Sequence, residues 1–481
     1  MPELWSRRRF LQSASLVLAA PPARPPNVII FYTDDQGIGD VGCYGATDVK
    51  TPNIDALAAA GARFTNFYSA APVCSPSRAA LLTGRYPLRC GVPNIVQSAA
   101  GVVGLKGSEI TLAEVLKQRG YRTGLVGKWH LGSAPESRPN AHGFDDFFGF
   151  HSGCIDYYSH IFYWGGGRDP FHDLWRNQTE VWENGRYMTE LITREARRFV
   201  TQNRARPFFL SVAYNAPHYP MHVPQKYIDR FPGLGRERQV HAAMISAVDD
   251  SIGEILGLVN KSALTNNTIF YFQSDNGATI ETRAGRGGRN APFRGFKFGL
   301  FEGGIRMPAV LSWPGRIPAG QVIAEPAIAM DIFTTAIGAA GARVPGDRTI
   351  DGLDILPMVT EGKKSPHEML FWAQGEQAAV RRGRWKLIQN GVTGPGPENR
   401  MQGDDTVFLV DLEKDPGEKT NLRKQNPKLV AELSVQIQKW LAEVSSQQTV
   451  GRSPGMPSAS GRRYFGGDRL APSRDREEAV S

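Results

Sequence analysis

Four apolar segments, each ending abruptly in polar residues, constrain the fold of this chain more than any other sequence feature. Apolar runs of this length and β-branched content are typical of strands that are buried on both faces of a parallel sheet. The segments are NVIIFYT before Asp34-Asp35, YRTGLVG before Lys128-Trp129-His130, PFFLSVAYNAP before His218, and NTIFYFQS before Asp275-Asn276. Ligands bind beyond the carboxyl ends of the strands in open parallel sheets, so the four polar clusters predict one convergent site.

Helical patterns separate these strands, which indicates an α/β fold with a mostly parallel sheet sandwiched by helices. Residues 51–64, 111–120, 189–202 and 240–259 have the apolar spacing or capping residues of helices. The pattern changes near residue 350, where short β-like runs (MLFWAQ, AAVRRGRWKLIQ, TVFLVDLEKDPGE) precede a closing helical segment, PKLVAELSVQIQKWLAEV. We therefore predict a large catalytic domain over residues 25–362 and a smaller α+β subdomain with an antiparallel sheet over residues 363–447.

The two termini differ in character from the rest of the chain. Residues 1–24 contain the twin arginines Arg7 and Arg8, a short apolar run and a small-residue end, which is the pattern of a twin-arginine export signal. The apolar run is too short to span a bilayer, so we expect no transmembrane anchor. We predict a periplasmic or secreted protein that uses the twin-arginine export machinery, and a flexible tail rich in Gly, Ser, Pro and Arg over residues 448–481.

Charge and cysteine content narrow the class of partner. The formal net charge is +9, but part of it lies at the termini, and the middle of the chain has no long Lys/Arg run, which argues against nucleic acid as a partner. The four cysteines are too widely spaced for a zinc site, and no disulfide is needed to explain the chain; they are Cys43, Cys74, Cys90 and Cys154. Anionic small molecules and polyanions remain as candidate ligands.

The polar residues at the strand ends include a set of hard oxygen donors, namely Asp34, Asp35, Asp275 and Asn276. If these side chains converge, they suit Ca²⁺, or Mg²⁺, better than zinc. Each stretch alone is equally typical of a turn, because Asp-Asp before Gly and Asp-Asn-Gly are favoured there. Their position after two buried strands favours the metal-site interpretation.

Five cationic or histidine side chains accompany these donors, namely Arg78, Lys128, His130, His218 and Lys297. A single lysine on a loop is usually solvated, and a single histidine is more often structural. Together beside a metal, they suit a substrate that has several anionic oxygens, such as a sulfate or phosphate ester.

The stretch APVCSPSRAALLTGRYP places Cys74 at the start of a predicted helix. Ser75 is a candidate N-cap, Pro76 fits the first helical position, and Gly84 can end the helix. A thiol beside Arg78 and a helix N-terminus suits an anion. A small buried hydrophobe is an equally good interpretation of this cysteine on local grounds alone.

These residues together resemble the type I sulfatases. Cys74-Ser-Pro-Ser-Arg78 matches the C-x-P-x-R signature of that family, and five further blocks follow its order: TDDQG, GKWHLG, APHYP, SDNGA and NAPFRGFKFGLFEGGIRMP. The resemblance covers roughly residues 26–445. It implies the alkaline phosphatase superfamily fold, with a mixed central sheet flanked by helices and a smaller C-terminal sheet.

The same resemblance implies a chemistry. Cys74 would be oxidised to Cα-formylglycine by a formylglycine-generating enzyme or an anaerobic maturase, and the hydrated aldehyde would attack sulfur. The residues expected to bind Ca²⁺ are Asp34, Asp35, Asp275 and Asn276, together with the modified Cys74. Arg78 and His130 would hold the diol. Lys128, Lys297 and His218 would bind the sulfate oxygens, with His218 or Lys297 protonating the leaving group.

The loop HSGCIDYYSH, at residues 151–160, is the stretch most able to choose the substrate. It resembles the corresponding part of N-acetylgalactosamine-4-sulfatase-like members, which makes His151, His160 and the nearby His222 candidate substrate contacts. Sulfated carbohydrate is therefore the expected substrate class. An alternative is that Tyr157 and Tyr158 pack this loop against the sheet.

Two other functions stay open from the sequence. A phosphoester or phosphonate ester hydrolase of the same superfamily would share the fold, although many of these use Ser or Thr with two zinc ions. A non-catalytic polysaccharide-binding protein would keep Cys74 as an unmodified thiol.

Overall fold

The structure is a computed structural model that describes residues 24–164, 169–281 and 285–447. The predicted export signal, apart from its last residue, and the predicted tail at 448–481 lie outside the described residues and stay predictions. None of the helices within the described ranges is long and apolar enough to cross a membrane.

The strands in the described ranges form one large sheet and three smaller ones. They are β1 (Asn27–Thr33), β2 (Ala62–Phe64), β3 (Phe67–Tyr68), β4 (Arg122–Lys128), β5 (Asp146–Phe150), β6 (Ile161–Phe162), β7 (Phe171–His172), β8 (Trp175–Arg176), β9 (Thr179–Glu180), β10 (Phe208–Ala213), β11 (Thr268–Ser274), β12 (Ala309–Ser312), β13 (Gln321–Ile323), β14 (Ala327–Ile328), β15 (Met369–Gln374), β16 (Gln377–Arg382), β17 (Trp385–Gln389) and β18 (Val407–Asp411).

The central sheet has ten strands in the order β13-β2-β12-β11-β1-β10-β4-β5-β8-β9. The five strands from β11 to β5 in this order are parallel to one another. Antiparallel pairs join β12 to β11 on one side and β8 to β5 on the other. The predicted mixed, mostly parallel sheet is therefore confirmed.

Strand β1 shows why the apolar runs were continuous rather than alternating. All seven of its residues are buried. Ile29 and Phe31 belong to the core on one face of the sheet, whereas Val28, Ile30 and Tyr32 belong to the core on the other face. Successive side chains of a strand point to opposite faces, so a strand covered on both faces needs apolar residues at every position.

The helices cover both faces of this sheet. In the described ranges they are α1 (Pro52–Ala59), α2 (Cys74–Thr83), α3 (Leu112–Gln118), α4 (Met188–Asn203), α5 (Gln225–Ile228), α6 (Arg236–Lys261), α7 (Glu302–Ile305), α8 (Asp331–Ala339), α9 (Leu356–Thr360) and α10 (Pro427–Ser446). Helices α4 and α6 pack on the face that carries Phe31, and α2, α3 and α8 contribute to the core on the opposite face.

The start of α2 differs from the prediction. The N-cap is Val73, which has extended backbone angles, so the helix begins at Cys74 and Ser75 lies inside its first turn. Ser75 is not the cap because its Oγ instead accepts a hydrogen bond from the Val96 N–H at 3.0 Å. Gly84 ends the helix with a φ of 68°, as predicted.

The C-terminal part of the chain forms the predicted antiparallel sheet, with β15, β16, β17 and β18 in order and α10 packed against it. A buried ion network joins this sheet to the large domain. Lys386 of β17 lies 2.7 Å from Glu302 of α7 and 3.0 Å from Glu418, and all three side chains are fully buried. The two parts of the chain therefore share a charged core.

Candidate active site

The ends of four neighbouring parallel strands bring the predicted polar clusters together. In the sheet order β11-β1-β10-β4, each strand ends at or just before one cluster. Hydrogen bonds donated by backbone N–H groups join the loops that follow. Asp35 N donates to Asp275 Oδ1 at 3.1 Å, and Asp34 N donates to the Ala216 carbonyl at 3.2 Å. The convergence follows from strand direction and order, since carboxyl ends of adjacent parallel strands lie at one edge of the sheet.

Three buried carboxylates in this site each contact a buried cation. Lys128 Nζ lies 2.6 Å from Asp34 Oδ2, and Lys297 Nζ donates to Asp35 Oδ2 at 2.9 Å. The third contact joins Arg78 Nη2 to Asp275 Oδ2 at 2.8 Å. The structure therefore brings together all the predicted lysine, arginine and aspartate residues of the site.

Cys74 lies at the centre of this cluster, as the first residue of α2. Its side chain is 1% exposed, and its Sγ donates to Asp34 Oδ1 at 3.4 Å. Burial raises the pKa of the thiol well above its ordinary value, although Lys128 and Lys297 act in the opposite direction. The cysteine is therefore a neutral thiol near pH 7, which makes it a poor nucleophile in this form.

Two neutral histidines border the cysteine. Burial, and then the charge of Lys128, holds the pKa of His130 well below its usual range. The His130 Nε2–H donates to the Val96 carbonyl at 3.1 Å, which leaves the buried Nδ1 without a hydrogen-bond partner among the described residues. Burial and Lys297 lower the pKa of His218 to about 3. The Nδ1–H of His218 donates to the Tyr219 carbonyl at 2.8 Å, and its Nε2 lies 3.8 Å from Asp35 Oδ2.

A group of buried side chains at the strand ends could hold a metal ion. Ligand atoms of Asp34, Asp35, Cys74 and His218 all lie within 4.8 Å of one another. Asn276 is also buried, and its Oδ1 has no hydrogen-bond partner within the described part of the chain. Burial and the neighbouring Asp34 raise the pKa of Asp275 to about 6, because a second negative charge close by disfavours ionisation. A buried oxygen cluster with an unpartnered amide oxygen could hold a metal.

The turn that carries Lys297 is held from two sides. Phe298, with a φ of 78°, donates its N–H to the carbonyl of Pro72 at 2.9 Å, one residue before the N-cap of α2. From the C-terminal sheet, Gln377 Nε2 donates to the Phe298 carbonyl at 2.8 Å, and Gln377 Oε1 accepts from the Leu300 N–H at 3.2 Å. The sequence analysis missed Gln377, because no local pattern shows that a strand 80 residues away reaches this turn.

Two of the three histidines predicted to contact substrate are buried in contacts of their own. His151 is 5% exposed, lies 3.5 Å from Asp173, and packs between Phe147 and Trp175. His160 has no exposed surface, and its Nε2 donates to the Arg186 carbonyl at 3.2 Å. Both side chains are therefore held by neighbours in the loop region, and their role as substrate contacts stays a prediction.

His222 differs from these two, since its side chain is 44% exposed and lies 3.1 Å from Asp156. The loop tyrosines follow the alternative interpretation. Tyr157 is fully buried, and its hydroxyl donates to the Asn215 and His218 carbonyls at 2.8 and 2.9 Å. Tyr157 thus supports the backbone of a site residue, a role that sequence analysis did not identify.

Comparison with known proteins identifies two family regions. Residues 26–342 match the family model described as Sulfatase, which covers more than half of the chain. Residues 296–447 match the model described as N-sulphoglucosamine sulphohydrolase, C-terminal. The two matches together span the central sheet, the site and the C-terminal sheet.

Similar proteins carry sulfatase names. The chain is 38% identical over 409 residues to N-acetylgalactosamine-6-sulfatase from Canis lupus familiaris, covering 79% of this chain and 75% of the relative. It is 33% identical to steryl-sulfatase from Mus musculus, covering 85% and 81%. The crystal structure of Ps i-CgsB in complex with k-i-k-neocarrahexaose matches with a TM-score of 0.80 and 31% identity, covering 89% and 94%.

This relative is named a 6-sulfatase, whereas residues 151–160 resemble 4-sulfatase-like members. The two names differ in the position of the sulfate but not in the family. The matched family model, the identity over most of both chains and the shared fold all agree with the signature around Cys74. The chain therefore belongs to the type I sulfatases of the alkaline phosphatase superfamily, and it is an enzyme that hydrolyses sulfate esters.

Proposed function

We propose that this sulfatase acts on sulfated carbohydrates through a formylglycine gem-diol made from Cys74 by a formylglycine-generating enzyme or an anaerobic maturase. The observation that carries the proposal is the position of Cys74 within hydrogen-bond reach of Asp34, inside a ring of buried cations. A neutral, buried thiol is a poor nucleophile, whereas one hydroxyl of a hydrated aldehyde can attack sulfur and the other can expel sulfate as the aldehyde re-forms.

The chain's own residues have separate roles in this proposal. Lys128 and Lys297 face the two carboxylates beside Cys74 and would bind sulfate oxygens. Arg78 and the unpartnered Nδ1 of His130 would hold the hydroxyls of the modified residue. His218 and Lys297 both lie against Asp35, at 3.8 and 2.9 Å, and one of these two would protonate the leaving alcohol. Lys297 carries a proton to give, whereas His218 would first have to gain one at Nε2.

We further propose that the metal is Ca²⁺, with Mg²⁺ as the alternative, held by Asp34, Asp35, Asp275 and Asn276. The support is the oxygen donor set, its complete burial and the unpartnered Oδ1 of Asn276. A bound divalent ion supplies positive charge for the nucleophile and the sulfate oxygens. With the carboxylates engaged by an ion, Lys128 and Lys297 would be free to face the substrate.

Removal of the metal should lower both activity and stability. We expect dialysis against a calcium chelator to reduce sulfate ester hydrolysis by about 100-fold or more and to lower Tm, because a ligand at 100 times its Kd stabilises the native state by about 2.7 kcal/mol. Added Ca²⁺ should restore both quantities. Asp275→Asn should lose the calcium-dependent rise in Tm, whereas Asp48→Asn, a carboxylate paired with Arg238 outside the cluster, should keep it. Full activity in protein shown to be metal-free by elemental analysis would contradict the proposal.

The reaction itself is tested with protein purified from its native host. Peptide mass spectrometry of the fragment containing residue 74 should give the mass of an aldehyde in place of the thiol. The same preparation should hydrolyse 4-nitrophenyl sulfate about 100-fold or more faster than 4-nitrophenyl phosphate, as kcat/KM. A preference for phosphate or phosphonate esters would favour the other hydrolases of the superfamily. A free thiol at 74 with no hydrolysis would favour a non-catalytic binding protein.

Carbohydrate is the substrate class that the similar proteins support. One is named for N-acetylgalactosamine, and a solved structure holds k-i-k-neocarrahexaose. The position of the exposed His222 near the His218 loop is compatible with a rim that contacts a sugar, and His222 stays a candidate contact. Export by the twin-arginine route stays a prediction from residues 1–24.

A further inference from the structure

We propose that Glu281, with Tyr219 and Trp164, forms a selective mouth that accepts a sugar hydroxyl next to the reacting sulfate and excludes a second sulfate there. This inference rests on the proposed function, since it assumes that the ester is a sulfated sugar. It assigns a chemical preference to side chains that have no role in the reaction described above.

Glu281 lies on the outer side of a site cation. Its Oε2 is 3.9 Å from Lys297 Nζ, which in turn lies 2.9 Å from Asp35. The Glu281 side chain is 24% exposed, whereas the side chains of Lys297 and Asp35 are 3% and 2% exposed. Among the described residues, the Glu281 carboxylate therefore lies on the side of Lys297 that is nearer to solvent.

The Glu281 carboxylate is fixed in direction. The hydroxyl of Thr279 donates to Glu281 Oε2 at 3.2 Å, and the Glu281 N–H donates back to the Thr279 hydroxyl oxygen at 3.1 Å. Thr279 is itself 5% exposed and follows the Asp275-Asn276 loop directly. A carboxylate anchored to a buried residue loses less side-chain entropy on binding than a free surface glutamate.

An aromatic pair lies next to His218, another residue of the site. The ring of Tyr219 lies 4.1 Å from the ring of His218, and Trp164 packs edge-on against Tyr219 at 5.8 Å. Both rings are half-buried, and the adjacent Tyr163 is 48% exposed. Half-buried aromatic rings with few polar groups are typical of ligand-binding clefts, and they offer an apolar surface to the C–H face of a sugar.

The charge of Glu281 decides which sugars fit. A sulfate bound by Lys297 carries its sugar ring past Glu281, so the neighbouring ring substituent comes next to this carboxylate. A hydroxyl there can donate a hydrogen bond to the carboxylate, which is acceptor-only when ionised. A sulfate there would meet a like charge and has no hydrogen to donate to the carboxylate, which is the combination that gives strong discrimination.

The test compares one hexose that carries a single sulfate with the same hexose that carries two sulfates on adjacent carbons. For Glu281→Gln, we expect the ratio of kcat/KM for the disulfated over the monosulfated sugar to rise at least about tenfold, because the amide keeps the size and removes the charge. Glu254→Gln is the matched control, since Glu254 is an exposed carboxylate paired with Arg197 on a distant helix face. A ratio that stays within twofold of wild type in Glu281→Gln would overturn the proposal.

A binding measurement separates failure of this inference from failure of the proposed function. Calorimetric titration in a Cys74→Ala background is free of turnover, and this protein should bind the monosulfated hexose at least about tenfold more tightly than the disulfated one. Glu281→Gln should lose this preference, and Trp164→Leu should weaken both sugars alike. If 4-nitrophenyl sulfate is not hydrolysed but the preference is present, only the catalytic proposal fails. If wild-type protein hydrolyses 4-nitrophenyl sulfate and the binding preference is absent from the Cys74→Ala protein, only the selective mouth fails.

Discussion

Replacing Cys74 by alanine should abolish sulfate ester hydrolysis, with a loss of kcat of about 10⁴-fold or more. The expected size of this loss follows from enzymes in which several catalytic residues act together. Removing the nucleophile of such an enzyme lowers kcat nearly as much as removing all of these residues. Cys74 is the only cysteine of the described residues whose ligand atom lies within the Asp34–Asp35–His218 cluster. The measurement is the initial rate with 4-nitrophenyl sulfate. The variant is compared with wild-type protein in which residue 74 carries the aldehyde.

The matched control for this substitution is Cys90→Ala. Cys90 is equally buried, at 1% exposure, but its Sγ contacts the carbonyl of Pro87 and it packs in the core away from the cluster. We expect Cys90→Ala to keep activity within about twofold, and both variants to lose roughly 1 kcal/mol of stability. A Cys74→Ala protein that retains wild-type activity would rule out this residue as the source of the nucleophile.

Replacing Lys386 by methionine should lower the stability of the folded protein more than any other substitution proposed for this chain. We expect the free energy of unfolding to fall by about 3–5 kcal/mol, because removal of one member of a buried ion network leaves charge without compensation. Glu302 keeps partners in Arg306, at 3.1 Å, and in the hydroxyl of Tyr68, at 2.7 Å. Glu418 loses its cation and keeps the Glu302 backbone N–H. Urea denaturation with a common m-value measures the change.

The loss of stability in Lys386→Met should increase with pH. Burial already raises the pKa of Glu418 above its ordinary value, and Lys386 acts against this rise. A carboxyl with a raised folded-state pKa costs stability as pH increases above its unfolded value of about 4.3, so the deficit of Lys386→Met should grow from about pH 5 upward.

Two further variants control this experiment. The double variant Lys386→Met/Glu418→Gln should recover part of the loss, since the amide needs no counter-ion. Lys364→Met removes a lysine that is 89% exposed and paired with Glu325, and it should leave the urea midpoint of wild type unchanged. A Lys386→Met protein within 1 kcal/mol of wild type would show that the network is not a determinant of stability.

The sequence predicted those features that leave a local pattern. Strand β1 was recognisable because burial on both faces requires apolar residues from Val28 to Tyr32. The convergence of Asp34, Lys128 and Asp275 followed because neighbouring parallel strands end at one edge. The short edge strands β8, β9 and β13, of two or three residues each, are too brief for any periodicity to show.

The remaining features depend on contacts between distant parts of the chain. Ser75 has a good capping propensity, but Val73 takes the cap position because the Ser75 hydroxyl is used by Val96. The pairing of His151 with Asp173, which lies 22 positions further along the chain, leaves no local sequence pattern. Gln377 reaches Phe298 across 79 positions of the chain, a distance over which no sequence motif operates.

The bond from Gln377 to the Phe298 carbonyl also limits how the surface of this enzyme can change. Gln377 is the first residue of β16 and directly follows the exposed turn residues Gly375 and Glu376. Exposed hairpin turns ordinarily tolerate insertions well. An extra residue in this turn would move Gln377, and through Phe298 it would move the backbone that carries Lys297. The length of a solvent-facing turn in the smaller sheet is therefore tied to the position of Lys297, the proposed sulfate-binding lysine of the larger domain, and insertions and deletions there would disturb the candidate active site.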